Sequence, residues 1–173
     1  MAAATPSTPR DGRPAALHAL AEARRSGSPL PMAIAHEALA RACAAQGDSA
    51  SAALQLAHAL RWAEWIGARD QAVEWRCAWA EDAARRTEAQ RAGTDHAVAR
   101  SLAGQLAREA ARGAAGVSDP AWEARVLLRA GDVLDRCGER DDAAALHLRA
   151  IRLLHRVAPP RATAVDTEFM PLL

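Results

Sequence analysis

Alanine fills 47 of the 173 positions, against one phenylalanine, no tyrosine and three isoleucines. That vocabulary constrains the fold more tightly than any single motif. A β-sandwich or barrel draws on β-branched and aromatic residues to cover its pleated faces. Alanine is the strongest helix former and lets neighbouring helices pack closely through small faces. Hydrophobic residues still make up 50% of the chain and charged residues 25%, so one domain of this length can build a core, and global disorder is not expected. The expectation is an all-α protein.

Glycine supplies the punctuation. It enters the left-handed conformation without a Cβ clash and so favours the position just past a helix end. Gly47, Gly67, Gly93, Gly113 and Gly138 stand at such places, and most are followed by capping residues: Asp48-Ser49, Thr94-Asp95 and Ser118-Asp119-Pro120. Asp119 as N-cap with Pro120 at the first helical position is the strongest start signal. The pattern predicts helices near 14–26, 32–46, 49–66, 68–91, 95–112, 119–137 and 140–157. Connections this short make successive helices antiparallel neighbours.

Apolar spacing agrees with these spans. Trp122, Val126, Leu127, Ala130, Val133, Leu134 and Cys137 recur at three- and four-residue steps, as do Ala143, Leu146, Ala150, Leu153, Leu154 and Val157. Asp141 and Asp142 begin the last helix and Arg152, His155 and Arg156 end it, which suits the helix dipole. The segment 49–66 carries two stripes, Ala53/Leu56/Leu60/Ala63 and Leu54/His58/Trp62/Trp65, and is expected to lie sandwiched as the inner helix of a stack. Residues 1–13, interrupted by prolines, read as a disordered leader; 14–157 form the helical domain; and 158–173, opening on Pro159-Pro160, form a tail, either loose or laying Phe169 and Leu172 back on the domain.

Gly47, Gly93 and Gly138 are 46 and 45 residues apart, each between two predicted helices. A recurring helix–turn–helix unit is the mark of an α-solenoid, in which each hairpin buries its apolar face only against the next. The stretch Leu127–Ile151, LLRAGDVLDRCGERDDAAALHLRAI, places Leu127 four residues before the small Gly131, then the turn glycine Gly138, then Ala143, His147 and Ala150. It resembles a tetratricopeptide repeat. The segment from His36 to Ala59 matches less fully, through Ala40, Gly47, Ala52, Leu56 and Ala59. The middle unit departs from the pattern, with Arg86 where a small residue belongs.

The resemblance implies a short right-handed tetratricopeptide-like solenoid of three long antiparallel hairpins with an extra N-terminal helix. It also implies a protein–protein interaction module, an adaptor or scaffold, holding a peptide or helix of a partner protein in a concave groove built from the first helices of the hairpins. The alternative is a ligand-sensing or regulatory domain, similar to the tetratricopeptide-like sensor domains of bacterial signalling and transcription regulators.

Little in the sequence suggests other chemistry. No phosphate-binding P-loop, nucleophile elbow or zinc-protease motif occurs, and every cation is arginine, so lysine chemistry is excluded; no enzymatic activity and no cofactor are expected. None of the six histidines forms an i, i+4 pair with another histidine or a cysteine, so no metal is expected. Cys43, Cys77 and Cys137 are odd in number and widely spaced, which suits small buried hydrophobes in a reducing cytoplasm. No run of 18 apolar residues marks a membrane span. With 22 basic against 21 acidic residues, nucleic acid is not an expected partner. Self-association stays open, since the far end of the stack has no clear polar cap.

The tryptophans are the most informative side chains. Trp62, Trp65, Trp75 and Trp79 fall on consecutive predicted helices around Gly67. They either plug space that alanines leave between hairpins or form an exposed hot-spot patch with Arg61, Arg69 and Arg76. The matching face of the last unit offers Arg125, Leu128, Asp132 and Arg136. These eight residues, the four tryptophans and this quartet, are the candidate partner-binding set.

Overall fold

The computed structural model describes residues 12–89, 94–116 and 119–157. Gly93 and the expected leader and tail, save Gly12 and Arg13, lie outside them. Among the described residues the protein is all-helical, without strand: α1 (Arg13–Ser26), α2 (Pro29–Ala45), α3 (Ser49–Trp65), α4 (Arg69–Ala89), α5 (Thr94–Ala114), α6 (Pro120–Arg136) and α7 (Arg140–Val157). None of these helices is long and apolar enough to cross a membrane.

Two boundaries differ from expectation for physical reasons. Helix α2 starts at Pro29 rather than at residue 32, because Pro29 and Pro31 occupy the first turn, where N–H groups have no intrahelical partner to lose. Helix α5 continues past Gly113, since the buried stripe Ala107, Ala110, Ala111 and Ala114 runs on; the left-handed residue is Gly116, with φ +79°.

One turn geometry serves three connections. Gly47, Gly67 and Gly138 take φ values of 80°, 74° and 82°. In each, the N–H of the next residue reaches back five positions: Asp48 to the Cys43 carbonyl (3.0 Å), Ala68 to Ala63 (2.8 Å) and Glu139 to Leu134 (2.9 Å). The glycine's own N–H donates to the carbonyl three residues before it. This is the Schellman closure, which satisfies carbonyls that the helix end would otherwise orphan. The next helix then starts on a cap where one exists. Asp48 Oδ1 accepts from the Ser51 N–H at 3.0 Å, and Asp119 Oδ1 accepts from Ala121 and Trp122 at 2.9 and 3.2 Å. Hydrogen bonds from Ser51 hold the Asp48 carboxyl below its ordinary range.

The chain divides into two compact units, Met1–Arg76 and Cys77–Leu173, the division falling within α4. In the first, α2 packs on both α1 and α3 and buries Ala33, Ala35, His36, Glu37, Leu39, Ala40 and Cys43. Facing it are Ala16, Leu20 and Ala23 of α1, and Ala52, Leu56, Ala59, Leu60 and Ala63 of α3. Within this unit α2 is thus packed on two sides. In the second stripe of α3, Leu54 is 57% exposed and Trp65 73%, while His58 and Trp62 are half-buried.

In the second unit α6 packs on both α5 and α7, and Val126, Leu127, Val133 and Leu134 are its largest fully buried side chains. Two ion pairs join α4 to α6, Glu81–Arg129 at 2.6 Å and Glu88–Arg136 at 3.7 Å. Each links residues 48 positions apart, so the two helices run in the same direction. Glu123, buried near the start of α6, pairs with Arg149 past the middle of α7 at 2.5 Å, in keeping with the antiparallel register of a hairpin. Arg108 of α5 pairs with Glu139 and lies 3.8 Å from Asp142 at the start of α7. Parallel neighbours two helices apart and antiparallel neighbours one apart are what hairpin-on-hairpin packing produces.

Gly131 and His147 mark a close approach of α6 and α7. A Cβ at Gly131 would fall 2.5 Å from the His147 ring Cδ2, well inside contact distance. His147 also meets Asp132 Oδ1 at 3.2 Å through Nε2. Gly131→Ala is expected to lose about 1–3 kcal/mol to overpacking, less the roughly 1 kcal/mol that alanine gains over glycine in a helix. Gly104 makes the contrast. Its added Cβ would fall 2.5 Å from Glu139 Oε1, the end of a flexible side chain, with Arg108 Nη2 and Glu139 Cδ in ordinary contact at 3.5 Å. Gly104→Ala is expected to be neutral or stabilising by up to about 1 kcal/mol. Urea denaturation of the two variants checks the opposite signs.

Candidate functional site

The outer face of α3 is built by a simple spacing. Leu54, His58, Arg61, Trp62 and Trp65 recur at three- and four-residue intervals on the side away from Leu56, Ala59 and Ala63. His58, Arg61, Trp62, Glu64 and Trp65 line an open cleft. The Trp62 and Trp65 rings meet edge to face, centroids 5.3 Å apart, a favoured aromatic geometry. Trp65 is the last residue of α3, immediately before the Gly67 turn. Glu64 is tied to Arg76 by an ion pair.

Behind the cleft lies a histidine pair. His36 of α2 is buried, and its ring stacks on His58 with centroids 5.1 Å apart. His36 Nδ1 lies 2.7 Å from Gln55 Oε1; the amide oxygen only accepts, so Nδ1–H donates. Burial lowers the His36 pKa below its ordinary value; the Gln55 hydrogen bond opposes this, while the charges of His58 and Arg24 add to it. At neutral pH His36 is therefore an uncharged shelf for the His58 ring.

The sign of the linkage follows. An unfolded histidine takes up a proton below about pH 6.5, whereas the folded one resists it. The stability contributed by neutral His36 is full above that pH and is lost as pH falls toward the lowered folded value. Thermal midpoints measured from pH 8 down to about pH 5 should decline below about 6.5. His36→Gln should flatten that part of the curve.

The other expected site residues are placed differently. Trp75 and Trp79 are 8% and 7% exposed, inside α4 among the buried Ala72, Ala80, Ala83 and Ala84. They fill space between helices and present no surface. On α6, Arg125, Asp132 and Arg136 are exposed and Leu128 is half-buried. Arg136 is engaged with Glu88 and Asp132 with His147. Trp62 and Trp65 are thus the tryptophans brought together at the surface, and the α6 quartet is a separate, charged strip in the second unit.

Two features were not singled out from sequence. One is the His36–Gln55–His58 contact, which pairs α2 with α3 and leaves no local pattern. The other is an apolar patch on α7, where Leu148 and Ile151 are 49% and 46% exposed. Its signal was present: both residues fall off the buried stripe of that helix. Among the described residues, no group of three His, Cys, Asp or Glu side chains is placed to hold a metal ion. The three cysteines are buried and form no disulfide among the described residues, and burial pushes the Cys137 thiol up. In comparisons with known proteins, no family model and no curated protein matches the chain.

Proposed function

We propose that the chain is a non-catalytic protein–protein interaction module, a tetratricopeptide-like adaptor of the cytoplasm, whose α3 cleft takes a peptide or helix of a partner protein. The observation that carries this is Trp65, 73% exposed at the mouth of a cleft it shares with Trp62, His58 and Arg61. A largely exposed indole is an uncommon expense for a soluble surface, and Trp and Arg dominate binding hot spots. The cleft wall is preformed: α3 is fixed on α2 by alanine faces, and His58 rests on buried His36, so little order need be gained on binding. The repeated turn geometry and the parallel α4–α6 register support a tetratricopeptide-like stack. Buried cysteines outside any disulfide suit a reducing compartment.

The test is affinity capture from the native cell with wild type beside a Trp62→Ala/Trp65→Ala double variant, followed by a binding titration with the purified partner. Loss of one specific protein, with far-ultraviolet circular dichroism unchanged, supports the adaptor role. Identical captures by the two chains remove the α3 cleft from consideration. An Arg125→Ala/Arg136→Ala variant run alongside reports on the α6 strip.

A further inference from the structure

We propose that α7 is a homodimerisation surface, on which a second copy of this chain lays its own α7 antiparallel, with Leu148 packing about the two-fold axis. Ala143 and Ala150 are buried and define the inner side of α7. On the opposite side stand Asp141, Ala144, Ala145, Leu148, Ile151, Arg152 and His155, all exposed. The steps of three and four residues make them one stripe along the helix. Ion pairing leaves the stripe alone: among the described residues, Asp142 is close to Arg108, but Asp141, Arg152 and His155 form no salt bridge within the chain.

The order of side chains along that stripe selects the occupant. From N- to C-terminus it reads acidic, small, large, large, basic. Turned end for end about Leu148, the same stripe sets His155 opposite Asp141, with the long Arg152 side chain one turn nearer the axis beside the same carboxylate, and Ile151 over Ala145, while Leu148 meets Leu148. A parallel copy would instead oppose like charges at both ends. The helix dipoles also favour the antiparallel arrangement. Such a patch is self-complementary under a two-fold axis and closes on itself, so it yields a dimer without further growth. One helix of 18 residues gives a small interface, so the dimer belongs at the weak end of specific association.

Sedimentation velocity of the full chain tests this. The mass should rise from that of an 18.3 kDa monomer toward twice that value between about 1 and about 300 µM protein, and less so at high salt. Ile151→Asp should raise the dissociation constant by about thirtyfold or more, since it enters the interface twice. Asp141→Arg should weaken the dimer about tenfold, and adding Arg152→Glu to it should restore association by re-pairing the swapped charges. Circular dichroism confirms that each variant is folded. A chain monomeric over the whole range overturns the proposal, whether α7 is covered by its own tail or by another protein. So does a dimer indifferent to Ile151→Asp, or a charge-swapped double variant no better than Asp141→Arg alone.

Discussion

Leu134→Ala is expected to lower the unfolding free energy by about 2–5 kcal/mol, toward the upper end of that range. The side chain is fully buried on α6, the helix that α5 and α7 both contact. The cost of such a truncation depends on how far the surroundings can collapse into the space left. Here collapse is hindered by the composition itself. Ala111 of α5 lines a cleft together with Leu134, and an alanine has no rotamer with which to fill a void. A shift of whole helices to close it is resisted by the Glu123–Arg149 and Arg108–Glu139 pairs. Leu148→Ala, at an exposed position of α7, should cost less than about 1 kcal/mol in the isolated chain. Urea denaturation with an unchanged slope distinguishes the two. A Leu134 loss as small as that of Leu148 would mean that the alanine faces repack freely.

The helices were legible because two local signals coincide along this chain. Alanine and leucine at three- and four-residue steps give each helix a stripe, and a left-handed glycine closes several of them at Gly27, Gly47, Gly67, Gly116 and Gly138. Periodicity shows which residues share a face; it does not show whether a neighbour arrives to cover that face. That is why Leu54 and Trp65, at the two ends of a stripe expected to be buried, are exposed while His58 and Trp62 between them are half-buried. Composition around each tryptophan carried a further clue. Trp75 and Trp79 sit among Ala72, Ala78, Ala80, Ala83 and Ala84, which leave room for an indole against another helix. Trp65 sits beside Arg61 and Glu64, whose charges keep that side in water. The His36–Gln55–His58 contact had no such clue, because it depends on which turn of α2 meets which turn of α3. Leu148 and Ile151 were visible as apolar residues left over once the inner stripe of α7 was assigned.

Truncating Trp65 and truncating Trp79 should separate binding from folding. Trp79→Ala removes a buried indole from α4 and is expected to cost about 3–5 kcal/mol of stability. Trp65→Ala removes a ring that is 73% exposed and should change stability by less than about 1 kcal/mol. In the partner titration the order reverses. If Trp65 anchors the partner, its loss should weaken binding by about thirtyfold or more, the scale of a hot-spot indole. At temperatures where Trp79→Ala remains folded, it should bind nearly as wild type does. The exposure difference is measurable before any partner is known. Acrylamide quenching reports how much of the emission from the five tryptophans comes from accessible rings. Trp65→Phe should remove more of the quenchable fraction than Trp79→Phe does. Equal effects would place Trp65 under cover, and with it would go the cleft as a docking surface.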